Sequence, residues 1–319
     1  MTDAGLLYYN AIVKSRESTL LGADRLQRIA DAADQGEAVR LLVEAGYPSA
    51  PTSDEMLFAA EKEAALFFKS CLTAGYGLEL FLVADDYHNA KVAAKAHFFG
   101  GAKDAYKVEG FLSVARIEEA LEKEEYKDLP DPMASAFASL SALRAKDALY
   151  PSDADVILDT ATFSEIATKG KNAHPTIKRY FALLADLKNV SVAYRAGKAS
   201  LGLEKTRSML LPYGSIAEKD LLLIREFGAD AAERIRPNAV LIGALDAMKE
   251  GITAYEVYAD DALLALLRKE RYDMFSPAPI AGFYVGKQRE ILNVRLLLAR
   301  LANGADKEII RKRMRSLYV

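Results

Sequence analysis

The chain of 319 residues has no tryptophan, one cysteine and three histidines. A single cysteine excludes a disulfide within the chain, and with His88, His97 and His174 it builds no zinc set of familiar spacing. Cys71 stands in Phe67-Phe68-Lys69-Ser70-Cys71-Leu72, a setting that fits a small buried residue better than a nucleophile. No apolar run approaches the roughly 18 residues of a membrane span. The first residues include Asp3 and lack the basic-then-apolar pattern of a secretory leader. These absences lead to the expectation of a soluble chain in a reducing, cytoplasmic setting. The net charge of −3 gives no reason to expect nucleic acid. No phosphate-binding Gly-x4-Gly-Lys-Ser/Thr loop occurs: Gly282-Phe283-Tyr284-Val285-Gly286-Lys287 has the wrong spacing and no hydroxyl. No nucleophile elbow surrounds any serine. Neither cofactor nor catalytic centre is therefore expected.

What is present is helical periodicity. Half of the chain is apolar, enough for a substantial core. Leu6, Tyr9, Ile12, Val13 and Leu20 share one face. Residues 24–43 repeat this pattern and are expected to form one helix. Thr52 and Glu55 make a capping box that opens a helix over 56–72. Further helices are expected over 78–99, 162–169, 175–196 (closed by Gly197) and 279–302 (closed by Asn303-Gly304). Short amphipathic helices follow at 114–121, at 216–225 behind a second capping box of Ser215 and Glu218, and at 306–317. Strand signals are thin: Leu80–Val83 and Ala239–Ile242 sit among helical neighbours. Residues 123–131, charged and ending in two prolines, form the clearest linker.

A pattern recurs within this all-α reading. Asp86-x-x-Asn89, Asp186-x-x-Asn189 and Glu290-x-x-Asn293 are each followed by apolar residues, roughly a hundred residues apart. The chain has seven asparagines, and only these three carry an acid three positions earlier. The recurrence divides the chain into three related helical units near 1–125, 126–225 and 226–319. Asparagine is a poor mid-helix residue because its amide competes for backbone partners, so each marker asks for one on a neighbouring element. Two readings follow: acid–Asn pairs that tether a loop or helix to the core, or three pairs facing a ligand or partner around a pseudo-threefold axis. Asp85-Asp86-x-x-Asn89 also has the look of the Mg²⁺-binding motif of terpenoid synthases. The partner motif downstream is missing, and the other two copies lack the second carboxylate. An all-α repeat scaffold without enzymatic role shares the same composition.

Two longer stretches carry a resemblance. Pro279-x3-Phe283-Tyr284-x-Gly286-Lys287-x-Arg289-Glu290-Ile291-x-Asn293-Val294-Arg295 resembles the C-terminal signature of the C subunit of the prokaryotic V-type (A-type) ATPase, called the d subunit in eukaryotes. Tyr8-Tyr9-Asn10-Ala11-x-Val13-Lys14-x-Arg16-Glu17-Ser18-x-Leu20-Leu21 resembles that family's opening helix. Asn189-Val190 and Leu211-Pro212-Tyr213-Gly214-Ser215-Ile216 stand where it has its second motif. Residues 123–150 and 159–178 match nothing in the pattern, and the first copy carries Ala90-Lys91 after its asparagine.

The resemblance implies an all-α funnel of three units and a non-catalytic socket on a central rotor. Such a socket connects the D and F subunits of the stalk to the membrane proteolipid ring, with the membrane stator as a further neighbour. It transmits torque between ATP turnover and transport of H⁺ or Na⁺, from a cytoplasmic position peripheral to the membrane. On that reading Arg195 and Arg295 are candidates for the stalk interface, Arg289 for a structural ion pair, and Phe98 and Phe99 for the ring interface.

Overall fold

The computed structural model describes residues 3–102, 105–235 and 238–319, and among them there is helix and no strand. Contacts divide the chain into two compact units, Met1–Gly75 with Leu223–Val319, and Tyr76–Leu222.

The first unit opens with α1 (Asp3–Arg16), α2 (Ala23–Ala30), α3 (Gln35–Glu44) and α4 (Ser53–Ser70). The single helix expected over 24–43 is broken. Asp34 takes an extended conformation and its side chain accepts the Glu37 N–H, capping α3 afresh after the turn at 31–34. Thr52 caps α4 by accepting the Glu55 N–H.

The second unit holds α5 (Glu79–Phe99), α6 (Val114–Lys123), α7 (Asp131–Ala145), α8 (Pro151–Lys169), α9 (Pro175–Lys198) and α10 (Leu203–Met209). Leu80–Val83 is fully buried inside α5, so its unbroken apolar run marks a helix covered on all sides. Helix α8 starts eleven residues before the expected 162, with Pro151 at its first turn, and packs along α5. Helix α9 passes through Gly197 and closes where Ser200 adopts φ 53°. The linker at 123–131 lies between α6 and α7 as expected.

Helix α11 (Glu218–Phe227) crosses the boundary between the units. It begins two residues later than expected, and the Ser215 hydroxyl donates to Asp186. The remainder of the first unit is α12 (Ala239–Glu250), α13 (Ile252–Arg268), α14 (Ala278–Asn303) and α15 (Lys307–Arg311). Only the first part of the helix expected over 306–317 forms. Residues 314–319 run as a tail without regular structure. The core of this unit joins Leu26, Ile29, Leu42 and Met56 to Ile291, Val294 and Leu297 of α14, so chain start and chain end share one apolar centre.

Candidate functional site

The three marker asparagines sit mid-helix on α5, α9 and α14, each fully buried. Each spends both halves of its amide on one backbone residue downstream. Asn89 Oδ1 accepts the Lys107 N–H at 2.8 Å and its Nδ2 donates to the Lys107 carbonyl at 3.2 Å. Asn189 holds Leu211 in the same way, at 2.7 and 3.0 Å. Asn293 holds Arg315, at 2.8 Å both ways. The held residue lies 18, 22 and 22 positions after its asparagine. A primary amide offers a donor and an acceptor side by side, so it matches the donor and acceptor of one extended residue.

The acids of the first two copies complete the clamp. Asp86 accepts the N–H groups of Phe111 and Leu112 at 2.9 and 3.2 Å. Asp186 accepts those of Ser215 and Ile216 at 2.7 and 2.9 Å, and the Ser215 hydroxyl at 2.6 Å. Three residues after each held position stands a glycine, Gly110 or Gly214. A Cβ would lie 2.5 Å from an Asp86 oxygen at Gly110 and 2.4 Å from an Asp186 oxygen at Gly214. Only glycine lets the chain approach the carboxylate this closely. Burial raises Asp86 to about 6, against the backbone hydrogen bonds that favour its charge.

The third copy is built differently. Glu290 turns to the N-terminal part of its unit, accepting the Leu21 N–H at 2.6 Å and the Tyr47 hydroxyl at 2.7 Å beside Lys287. The tail is held instead by α13: Asp261 accepts the Ser316 N–H and hydroxyl, and Asp260 bridges Arg315 and Arg289. Arg289 is thus in a structural ion pair. The position three after the clamp is Tyr318, not glycine. Its side chain fits over Gly282 and Gly286 of α14, where added Cβ atoms would lie 2.5 Å from its ring and 2.4 Å from its Cβ. In this copy the glycines are on the helix and the bulk is on the tail. Arg271 donates to Glu17 at 2.8 Å and toward the Tyr318 carbonyl, tying α1 to the same tail.

The expected contact residues are scattered. Arg195 is exposed on α9, its Nε reaching only the Ser191 carbonyl among the described residues. Arg295 is half exposed on α14 and pairs with Glu61 of α4 at 3.0 Å. In the second unit, Lys91 of α5 and Lys188 of α9 share Asp159 of α8, at 2.7 and 3.0 Å. Phe98 is 8 % exposed and packs edge-on against His97, so it supports the helix end, while Phe99 beside it is partly buried. Exposed aromatics include Tyr8, Phe58, Phe111, Tyr150, Tyr272 and Phe275, spread over both units.

Asp85, Asp86 and Asn89 do not form the metal motif of the alternative reading. Asp85 pairs with Lys107 at 2.6 Å, and the other two hold backbone. No cluster of metal-binding side chains occurs among the described residues. Cys71 is buried, and burial raises its thiol to about 11, where no useful thiolate exists at neutral pH. No described helix is long and apolar enough to cross a membrane.

The profile of the ATP synthase (C/AC39) subunit family matches residues 9–313. The C subunit of the V-type sodium ATPase of Enterococcus hirae is 23% identical over 238 residues, 73% of this chain and 72% of that protein. The C subunit of the A-type ATP synthase of Desulfurococcus sp. is 23% identical over 331 aligned positions, 96% of this chain and 89% of that protein.

Proposed function

Because the chain belongs to the ATP synthase (C/AC39) subunit family, we propose that it is the connector of a rotary ATPase, seated between the central stalk and the membrane proteolipid ring. The observation that carries this reading is the family match over nearly the whole chain. The connector is non-catalytic and couples ATP turnover to movement of H⁺ or Na⁺ through the membrane sector. Its stalk partners are the D and F subunits, with the membrane stator as a neighbour, and it works on the cytoplasmic face. The recurring asparagine clamp supports an organisation in three related units, near 1–125, 126–225 and 226–319. A connector must carry torque without yielding, and close-packed helices whose loops are pinned to the core suit that demand.

Arg195 and Arg295 are the proposed stalk contacts; both are exposed on marker helices and offer charge to an acidic partner. Phe99, backed by buried Phe98, is the proposed ring contact. Replacing both arginines by glutamate should weaken capture of the D and F subunits by the tagged chain at low salt, with folding intact by circular dichroism. Raising the salt should shrink the difference from wild type, since exposed charges are screened. Equal capture of D and F at low salt would place the stalk contact elsewhere. Failure of the wild-type chain to capture either stalk or ring would overturn the connector reading.

A further inference from the structure

We propose that Lys188 is a site of acylation, an amine that takes an acyl group from small acyl phosphates ahead of more exposed lysines. This goes beyond the connector reading and does not depend on it. Lys188 of α9 and Lys91 of α5 end on one carboxylate oxygen, Oδ1 of Asp159 on α8, at 3.0 and 2.7 Å. Asp155, one turn earlier on α8, accepts Lys95 of α5 at 2.8 Å and lies 3.6 Å from Lys91. Among the described residues, three lysines thus stand on two aspartates within the second unit, one positive charge in excess. The two ammonium groups on Asp159 repel each other, and the surplus is relieved when one of them is neutral. Lys188 is the more open of that pair, its side chain 36 % exposed against 21 % for Lys91. Burial and the Lys91 charge hold the Lys188 ammonium below the usual lysine range, with Asp159 and Asp155 pulling the other way.

A desolvated amine beside another cation is the setting in which lysine acts as a nucleophile near neutral pH. The neutral Nζ attacks the acyl carbon of the acyl phosphate. An N–C bond forms and the C–O bond to phosphate breaks. Phosphate leaves with that electron pair and takes up the proton that Nζ releases. Nothing is oxidised or reduced. The resulting amide carries no charge but keeps an N–H for Asp159, which retains Lys91. Two lysines then match two aspartates. At other lysines the balance runs the opposite way. Acylating Lys107, Lys169 or Lys287 would take that cation from Asp85, Glu165 or Glu290, each nearly fully buried.

Treating the full chain with limiting acetyl phosphate, and following each lysine by peptide mass mapping, tests this directly. Exposed Lys146 serves as the internal standard. At neutral pH Lys188 should gain acetyl several-fold faster than Lys146. Its rate should also level off at a lower pH, because its amine loses the proton there. Lys91→Gln, folded by circular dichroism, gives Asp159 to Lys188 alone, so the Lys188 rate should fall towards that of Lys146. Acetylation of Lys188 no faster than that of Lys146 would overturn the proposal, as would two rates that rise together over the whole pH range. So would a Lys188 rate that Lys91→Gln leaves unchanged. The pH profile of the wild type decides even where the variant does not fold.

Discussion

Asn89, Asn189 and Asn293 each exchange two hydrogen bonds with one backbone residue, and none is exposed to water that would replace those bonds. Replacing Asn189 or Asn293 by leucine keeps the bulk but leaves a buried N–H and C=O unpaired, so each change should cost roughly 1–3 kcal/mol in chemical denaturation. A wild-type midpoint for both would show that the clamps carry no stability. Asp86 adds a pH dependence. Its folded value, about 6, lies above the ordinary aspartate value of 3.8. Folding therefore favours the protonated form: its contribution is fully present below about pH 4 and is lost as the pH rises through about 6. The stability difference between wild type and Asp86→Asn should accordingly change in the wild type's disfavour across that window. A difference that stays flat between pH 4 and pH 7 would contradict the buried carboxylate. The acid–Asn spacing is legible in the sequence because three copies stand out among seven asparagines. Their partners are not, because a clamp on one loop residue leaves no periodic trace.

At the scale of elements, the third clamp shows how the same motif is reused with its steric parts exchanged. Gly110 and Gly214 admit a carboxylate, whereas Gly282 and Gly286 admit the ring of Tyr318. The Tyr318 hydroxyl is buried without a hydrogen-bond partner among the described residues, and the residue is 2 % exposed. Tyr318→Phe should therefore be neutral or stabilising, since it removes an unpaired polar group. Tyr318→Ala should cost about 3–5 kcal/mol by emptying the notch. Urea denaturation of the two variants checks this; equal losses would mean that the hydroxyl has a partner. The Gly-x3-Gly pair on α14 is a visible cue to a close approach. The tail reads as helix in the sequence because its apolar residues share helical spacing, and Asn293, Asp260 and Asp261 override that pattern with backbone and side-chain partners. The break between α2 and α3 is hidden for a related reason: both helices keep one apolar phase, and only the Asp34 cap marks the turn. Phe98 stands out in the sequence as an end-of-helix aromatic, whereas Tyr272 and Phe275 lie in the turn between α13 and α14, which no periodicity marks.

For the molecule as a whole, the helical class is legible from periodicity, and the family from the stretch around Asn293 together with the opening helix. The grouping of chain start with chain end is not, because long-range contacts such as Leu21 to Glu290 have no local signature. The central claim is that this chain joins a nucleotide-driven stalk to an ion-moving ring. The direct measurement is ATP-driven ion uptake into vesicles containing the complete rotary complex, assembled with and without this chain. Without it, the head should still hydrolyse ATP while uptake is lost, and adding the purified chain back should restore uptake. Uptake coupled to hydrolysis in its absence would contradict the connector reading.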